Sequence, residues 1–294
     1  MTRGRERGSL AGTTAQIRAL GRPLIFAITA LGAAGVVAVA VVSGADLYDA
    51  RVYWLAWHGQ LYGGAFVYPP PGALLAAPAA VLPWPIFAAT WLAVLVLAGL
   101  WLLWPLPIWL RMPLLAALVA TYAWGNAAPL VAVALALAPR WPMLWAVIAW
   151  TKVTPAAGLV ALLRVRAWRQ LALALGAIVV VGVATLIVAP GTLAAWIMFV
   201  LRHPAVPRFL PGLLPFAVPL AVRVPVAALI AWAGASRPWT LAVAAAVATP
   251  DLSVATCGLL AAVPRLAEGR PAHVDTGRVR RRAQDDAERD RSLA

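Results

Sequence analysis

Residues 85–104 read "PIFAATWLAVLVLAGLWLLW", a stretch without one charged side chain. A helix rises 1.5 Å per residue, so about 20 apolar residues cross a hydrocarbon core of about 30 Å. Working outward, apolar runs recur at roughly 72–82, 113–124, 127–138, 142–163, 170–189, 210–235 and 239–263, after a first run at 24–42. The whole chain is 63% hydrophobic and 12% charged, with a mean hydropathy of +0.86. A soluble domain carries about 25% charged residues. The sequence therefore reads as a polytopic membrane protein. Each span must satisfy its own backbone hydrogen bonds, which makes the bundle all-α. The alternating pattern of a transmembrane barrel is absent.

Several runs fall short of a full span, and proline or glycine interrupts many of them. Short, broken helices survive at membrane depth only when buried in protein or lining a wet cavity. The pattern thus predicts a bundle of eight to eleven membrane segments around an internal cavity, with no soluble domain. Residues 1–22, with five arginines and one glutamate, read as a cytosolic N-terminus. Residues 23–264 form the membrane-embedded domain, and 44–68 its first external loop. Residues 265–294 hold eight arginines and six acids and read as a disordered cytosolic tail. The first run has no cleavage pattern and is expected to stay as the first helix.

The net charge of +14 does not indicate nucleic acid. The basic residues scatter between apolar runs, as positive-inside loops do, and anionic membrane lipids suffice as partners. Basic stripes interleaved with stacking aromatics are missing. Cys257 is the single cysteine, so neither an internal disulfide nor a cysteine metal cluster is available. No metal constellation, Walker loop or G-x-G-x-x-G occurs, and no cofactor is expected.

Only three acidic residues lie between 23 and 264: Asp46, Asp49 and Asp251. The first two sit in "GADLYDARVY", residues 44–53. Leu47, Val52, Leu55 and Ala56 oppose Asp46, Asp49 and Arg51, which predicts a short amphipathic helix on the membrane, ending near Gly59. Prolines 69–71 then break the chain, and Pro70 or Pro71 can open the next helix. Asp46 is placed to cap the surface helix or to sit in solvent. Asp49, one turn further in, is placed to point toward the bundle.

Lys152 is the only lysine, set between apolar runs in "WTKVTP". A compact ammonium suits a phosphate, although a snorkelling lysine gives the same pattern. Arg202, His203 and Arg208 share the expected external loop "FVLRHPAVPRF", residues 199–209, as a phosphate-binding group or as a loop with no partner. Asp251 breaks the last apolar run, where it caps the final helix or lines the cavity. His58 reads as an interfacial residue ahead of a general base.

Four strings in one order resemble the polyprenol-phosphate-mannose-dependent mannosyltransferases, glycosyltransferase family 87, of the multispanning C-type fold. They are Asp-x-x-Val-Tyr at 49–53, "LY…FVYPPPGALL…P…LP" at 61–83, the Gly125–Asn126 turn followed by Lys-x-x-Pro at 152–155, and the Thr249–Pro250 break. The resemblance covers roughly residues 24–264. It implies transfer of a sugar, by analogy mannose, from a polyprenyl-phosphate donor to a lipid or glycan acceptor on the external face of the plasma membrane. By motif, Asp49 is the base. Lys152, Arg202 and His203 are candidates for the donor phosphate, and Asp46, Tyr53, Tyr68, Asn126 and Asp251 for the cavity and acceptor. Direct displacement inverts the anomeric carbon and demands no metal. The family's Gly-Gln-x-x-Asn reads "GNAAP" here, and the chain is shorter than most members, so a shortened or degenerate member fits too. A transporter or flippase for a lipid-linked sugar and an inactive scaffold are the competing readings. Against the first stands the lack of visible pseudo-repeated halves. Against the second stands the ordered retention of Asp49, Tyr68 and Lys152.

Overall fold

A computed structural model of the chain describes residues 21, 23–35, 38, 46–62, 66–202, 218–250, 253 and 256–268. Among these residues the structure is helical and contains no strand. Helix α1 spans Pro23–Gly35. Helix α2, Tyr48–Trp57, follows and stops at His58 and Gly59, whose φ of +85 ends it. It does more than lie on a surface, because Ala50, Val52, Tyr53 and Ala56 are buried in the protein.

The proline stretch does not make a span. Pro70–Leu75 is a 3-10 turn with prolines at its start, and α3, Ala77–Ala80, adds one short turn. Helix α4, Trp84–Leu103, is the opening apolar run almost residue for residue. It buries Phe87, Trp91, Leu95, Ala98 and Leu102, spaced three and four apart, so one stripe faces the interior. Ile86, Val94 and Leu97 face outward.

Helix α5, Ile108–Ala117, begins before the expected run at 113–124 and includes Arg111. That arginine is held inside the apolar region because it caps α4. Its Nη2 donates to the carbonyls of Trp104 at 2.6 Å and Leu106 at 2.8 Å, and its guanidinium lies over the Trp104 ring. Helices α6, Val119–Trp124, and α7, Ala128–Leu137, meet at the Gly125–Asn126 turn. The run at 142–163 is broken. Helix α8, Trp145–Thr151, ends where Lys152 turns extended, and a 3-10 turn, Thr154–Leu159, leads into α9, Val160–Arg164.

Helix α10, Trp168–Val188, buries only Ala174 of its 21 residues. Helix α11, Pro190–Arg202, corrects the expected loop at 199–209: Phe199–Arg202 forms its last turn, and 203–209 lie outside the described residues. Helix α12, Leu220–Ala233, packs along α13, Thr240–Ala248. The expected run at 239–263 breaks at Thr249–Pro250 and resumes as a 3-10 turn, Thr256–Ala262. Helix α14, Val263–Glu268, crosses the expected start of the charged tail. Arg265 is anchored there, with Nε donating to the Trp101 carbonyl at 2.8 Å.

Helices α4 and α10 are long and apolar enough to cross a membrane, and the other apolar helices run to 10–17 residues. Two cores result. An aliphatic one joins the end of α4 to α7, α8 and α13 through Leu102, Val131, Leu135, Ile148, Ala245 and Leu259. An aromatic one joins α2, the proline turn and the first half of α4 through Tyr53, Phe66, Phe87 and Trp91. The candidate site lies at the second.

Candidate functional site

The site is built from the Gly125 turn upward. Gly125 has φ +65, a left-handed conformation that glycine adopts without a Cβ penalty. A Cβ there would stand 2.6 Å from the Ala50 Cβ, so the missing side chain lets α2 dock against the turn. Two further bonds fix the docking. The Leu47 N–H donates to the Ala123 carbonyl at 2.8 Å, and Trp91 Nε1 donates to the Gly125 carbonyl at 2.8 Å. The turn therefore grips both α2 and α4.

The next residue, Asn126, is 3% exposed. Its Oδ1 accepts from the Ala128 N–H at 2.9 Å, satisfying one of the free donors at the start of α7. Its Nδ2 donates to Asp49 Oδ2 at 2.5 Å. Asp49 lies in the first turn of α2. One turn later, Tyr53 is fully buried and its hydroxyl has no hydrogen-bond partner among the described residues. Burial pushes its phenol well above the usual range, and the neighbouring Asp49 charge adds to the rise. Its ring stacks on Tyr68 at 5.5 Å and contacts Trp91 at 5.3 Å.

Tyr68 carries the wall to the proline turn. Gly72 in that turn sits against α8, where a Cβ would come within 2.9 Å of the Trp150 carbonyl oxygen. The next residue but one, Lys152, is 5% exposed. Contiguous contacts thus connect Asn126, Asp49, Tyr53 and Tyr68 to the end of α8 that carries Lys152. On the far side, Tyr62 donates to the Tyr68 carbonyl at 3.0 Å, and Phe199 of α11 contacts the Tyr62 ring at 6.0 Å.

Other expectations are placed differently. Asp46 is exposed and does not cap α2. The cap position belongs to Leu47, left-handed at φ 59, with no side-chain bond. The start of α2 is held instead by the backbone bond to Ala123, so a carboxylate is not needed there. Arg202 is the exposed last residue of α11, one turn beyond Phe199. His203, Arg208 and Asp251 lie outside the described residues. His58 packs against the Trp54 ring at 4.0 Å, tilted by 30°, on the exposed side. Among the described residues no three His, Cys, Asp or Glu side chains gather as a metal site.

Arg223 is a residue that sequence reasoning missed. It is 6% exposed and donates to the carbonyls of Val218, Thr249 and Pro250 at 3.0, 2.7 and 2.9 Å. It holds the Thr249–Pro250 break open by satisfying carbonyls that no helix can. Its signal was present, as an arginine inside the run at 210–235, but charge alone did not say what it would grip. No family model matches the chain, and neither a curated protein nor a solved structure shows detectable similarity to it.

Proposed function

We propose that the chain is a membrane-embedded glycosyltransferase with a GT-C-like helical bundle. It transfers a sugar, mannose by the resemblance, from a polyprenyl-phosphate donor to a lipid or glycan acceptor on the external face of the plasma membrane. The carrying observation is Asp49, a carboxylate held by the buried Asn126 amide at 2.5 Å within an aromatic wall that leads to Lys152. A carboxylate in so apolar a chain has a cost, and its deliberate support by a buried donor fits a working group. The membrane reading is supported by α4 and α10, and by the apolar side chains that α10 leaves exposed, among them Val179, Val180, Val183, Leu186 and Ile187.

In this reading the acceptor hydroxyl attacks the anomeric carbon while Asp49 takes its proton. The new bond joins the acceptor oxygen to the sugar. The bond between the anomeric carbon and the phosphate oxygen breaks, and polyprenyl phosphate leaves with that electron pair. Lys152 stabilises the leaving phosphate as a point charge. Tyr68 gives the sugar and acceptor a flat apolar face, backed by the buried Tyr53 ring stacked behind it. Arg202 and His203 remain candidates for the outer end of the donor.

The test is transfer by purified protein in lipid, with a panel of radiolabelled polyprenyl-phosphate sugars. One donor is consumed by the unaltered protein, Asp49→Asn loses transfer while staying folded, and Lys152→Ala raises the donor KM. Consumption of no donor, or full turnover by Asp49→Asn, overturns the reading.

A further inference from the structure

Asn126 is held at three points. Its N–H donates to the Thr121 carbonyl at 3.0 Å, its Oδ1 accepts from the Ala128 N–H, and its Nδ2 reaches Asp49. The direction of the amide follows from chemistry. A backbone N–H can only donate, so the carboxamide oxygen must face α7, and the NH2 is left facing Asp49. A donor in that place favours the ionised carboxyl over the neutral acid.

We infer that Asn126 is a positioning residue for Asp49. It aims one carboxylate oxygen and favours the ionised form that can accept a proton. The inference rests on the reading of Asp49 as the base. It differs from a cavity-lining role, because Asn126 acts through Asp49 and touches neither sugar nor acceptor. It also differs from a simple tie between α2 and the turn before α7, whose loss would lower the unfolding midpoint and leave the acid limb of the transfer rate unmoved.

Among the described residues, the ionisable groups on the elements packed around this pair are few. On α2 and at its ends they are Asp46, Tyr48, Arg51, Tyr53 and His58. Helices α3, α4 and α7 carry none, α6 carries Tyr122, and the proline turn is flanked by Tyr68, with Lys152 beyond it. Changing Asn126 leaves all of them in place, so a shift in Asp49 titration reports the lost amide.

The experiment is an infrared titration of protein labelled with carboxyl-13C aspartate in lipid nanodiscs, with the Asp49→Asn spectrum subtracted to isolate the Asp49 band. Asn126→Ala raises the protonation midpoint by about one unit, a roughly tenfold change in proton affinity. The acid limb of the transfer rate moves up with it. Asn126→Ser still accepts from the Ala128 N–H but is too short to reach Asp49. It gives the same shift and carries the test should the alanine variant fail to fold. In the swap Asp49→Asn/Asn126→Asp, the pair is kept and the carboxyl moved, so the unfolding midpoint recovers and transfer does not. An unmoved Asp49 midpoint in a folded Asn126 variant, or transfer restored by the swap, overturns the inference. A protein that consumes no donor fails the enzyme reading alone, because the infrared midpoint still reads the Asn126–Asp49 bond.

Discussion

Asn126 donates to Asp49 across 77 positions of sequence, at 2.5 Å. The bond joins the first turn of α2 to the turn that leads into α7, and it depends on the left-handed Gly125 just before it. That dependence makes the turn the first place to perturb.

Gly125→Ala puts a side chain at φ +65 and a Cβ within 2.6 Å of Ala50. The strain and the clash together cost about 2–4 kcal/mol. The unfolding midpoint in detergent falls, and under the proposed function sugar transfer falls with it as α2 is pushed from Asn126. A variant with unchanged midpoint and rate would show that the turn does not set the docking of α2.

Arg223→Ala leaves the carbonyls of Thr249 and Pro250 without their shared donor. The loss is about 3 kcal/mol, since bonds to charged donors are worth about 1.5–3 kcal/mol each. Arg223→Lys recovers less than half, because one ammonium cannot span carbonyls that a planar fork reaches together. Thermal unfolding of the three proteins checks the order, and equal stability of lysine and arginine forms would refute the fork argument.

Tyr53 predicts an alkaline limb of stability. Burial and Asp49 raise its phenol above the ordinary 10.0, so the folded chain keeps a proton that the unfolded chain releases. This contribution is whole below pH 10 and is lost as the pH rises above it. Tyr53→Phe removes a hydroxyl that is buried without a partner, so stability at pH 7 holds or rises by about 1 kcal/mol. The alkaline loss becomes shallower. Denaturation at pH 7 and above pH 10 measures both effects.

Val180 lies near the middle of α10 and is 66% exposed. On a surface in water, Val180→Arg changes stability by less than about 0.5 kcal/mol. At the centre of a span it opposes insertion by about 2.5–3.5 kcal/mol. An insertion reporter fused to this segment separates the two environments, and unchanged insertion would remove α10 from the membrane reading.

Local pattern was enough for the elements that stand alone. The run at 85–104 became α4 at Trp84–Leu103, and 127–138 became α7 at Ala128–Leu137. The prolines at 70 and 71 opened a turn as their fixed φ requires. Pattern was not enough where one segment leans on another. The run at 142–163 reads as one segment because it is apolar on both sides of Lys152, yet it breaks there, where the Gly72 turn packs against the end of α8. Asp46 looked like a cap because its type suits one, but the backbone of Ala123 already holds that end of α2.

The sequence by itself determined an all-helical chain, the extent of its strongest helices and the short list of polar residues scattered among them. These follow from hydrophobic content and from backbone bonds that close within a few residues. The sequence already set Asp49 apart from Asp46, and the tertiary structure alone decided what holds it. Asp49 meets Asn126 because a glycine turn lets α2 approach it, and Arg223 finds its carbonyls because α12 packs on α13. Such pairings depend on how distant segments dock, and a hydrogen bond between them leaves no period in the sequence to read.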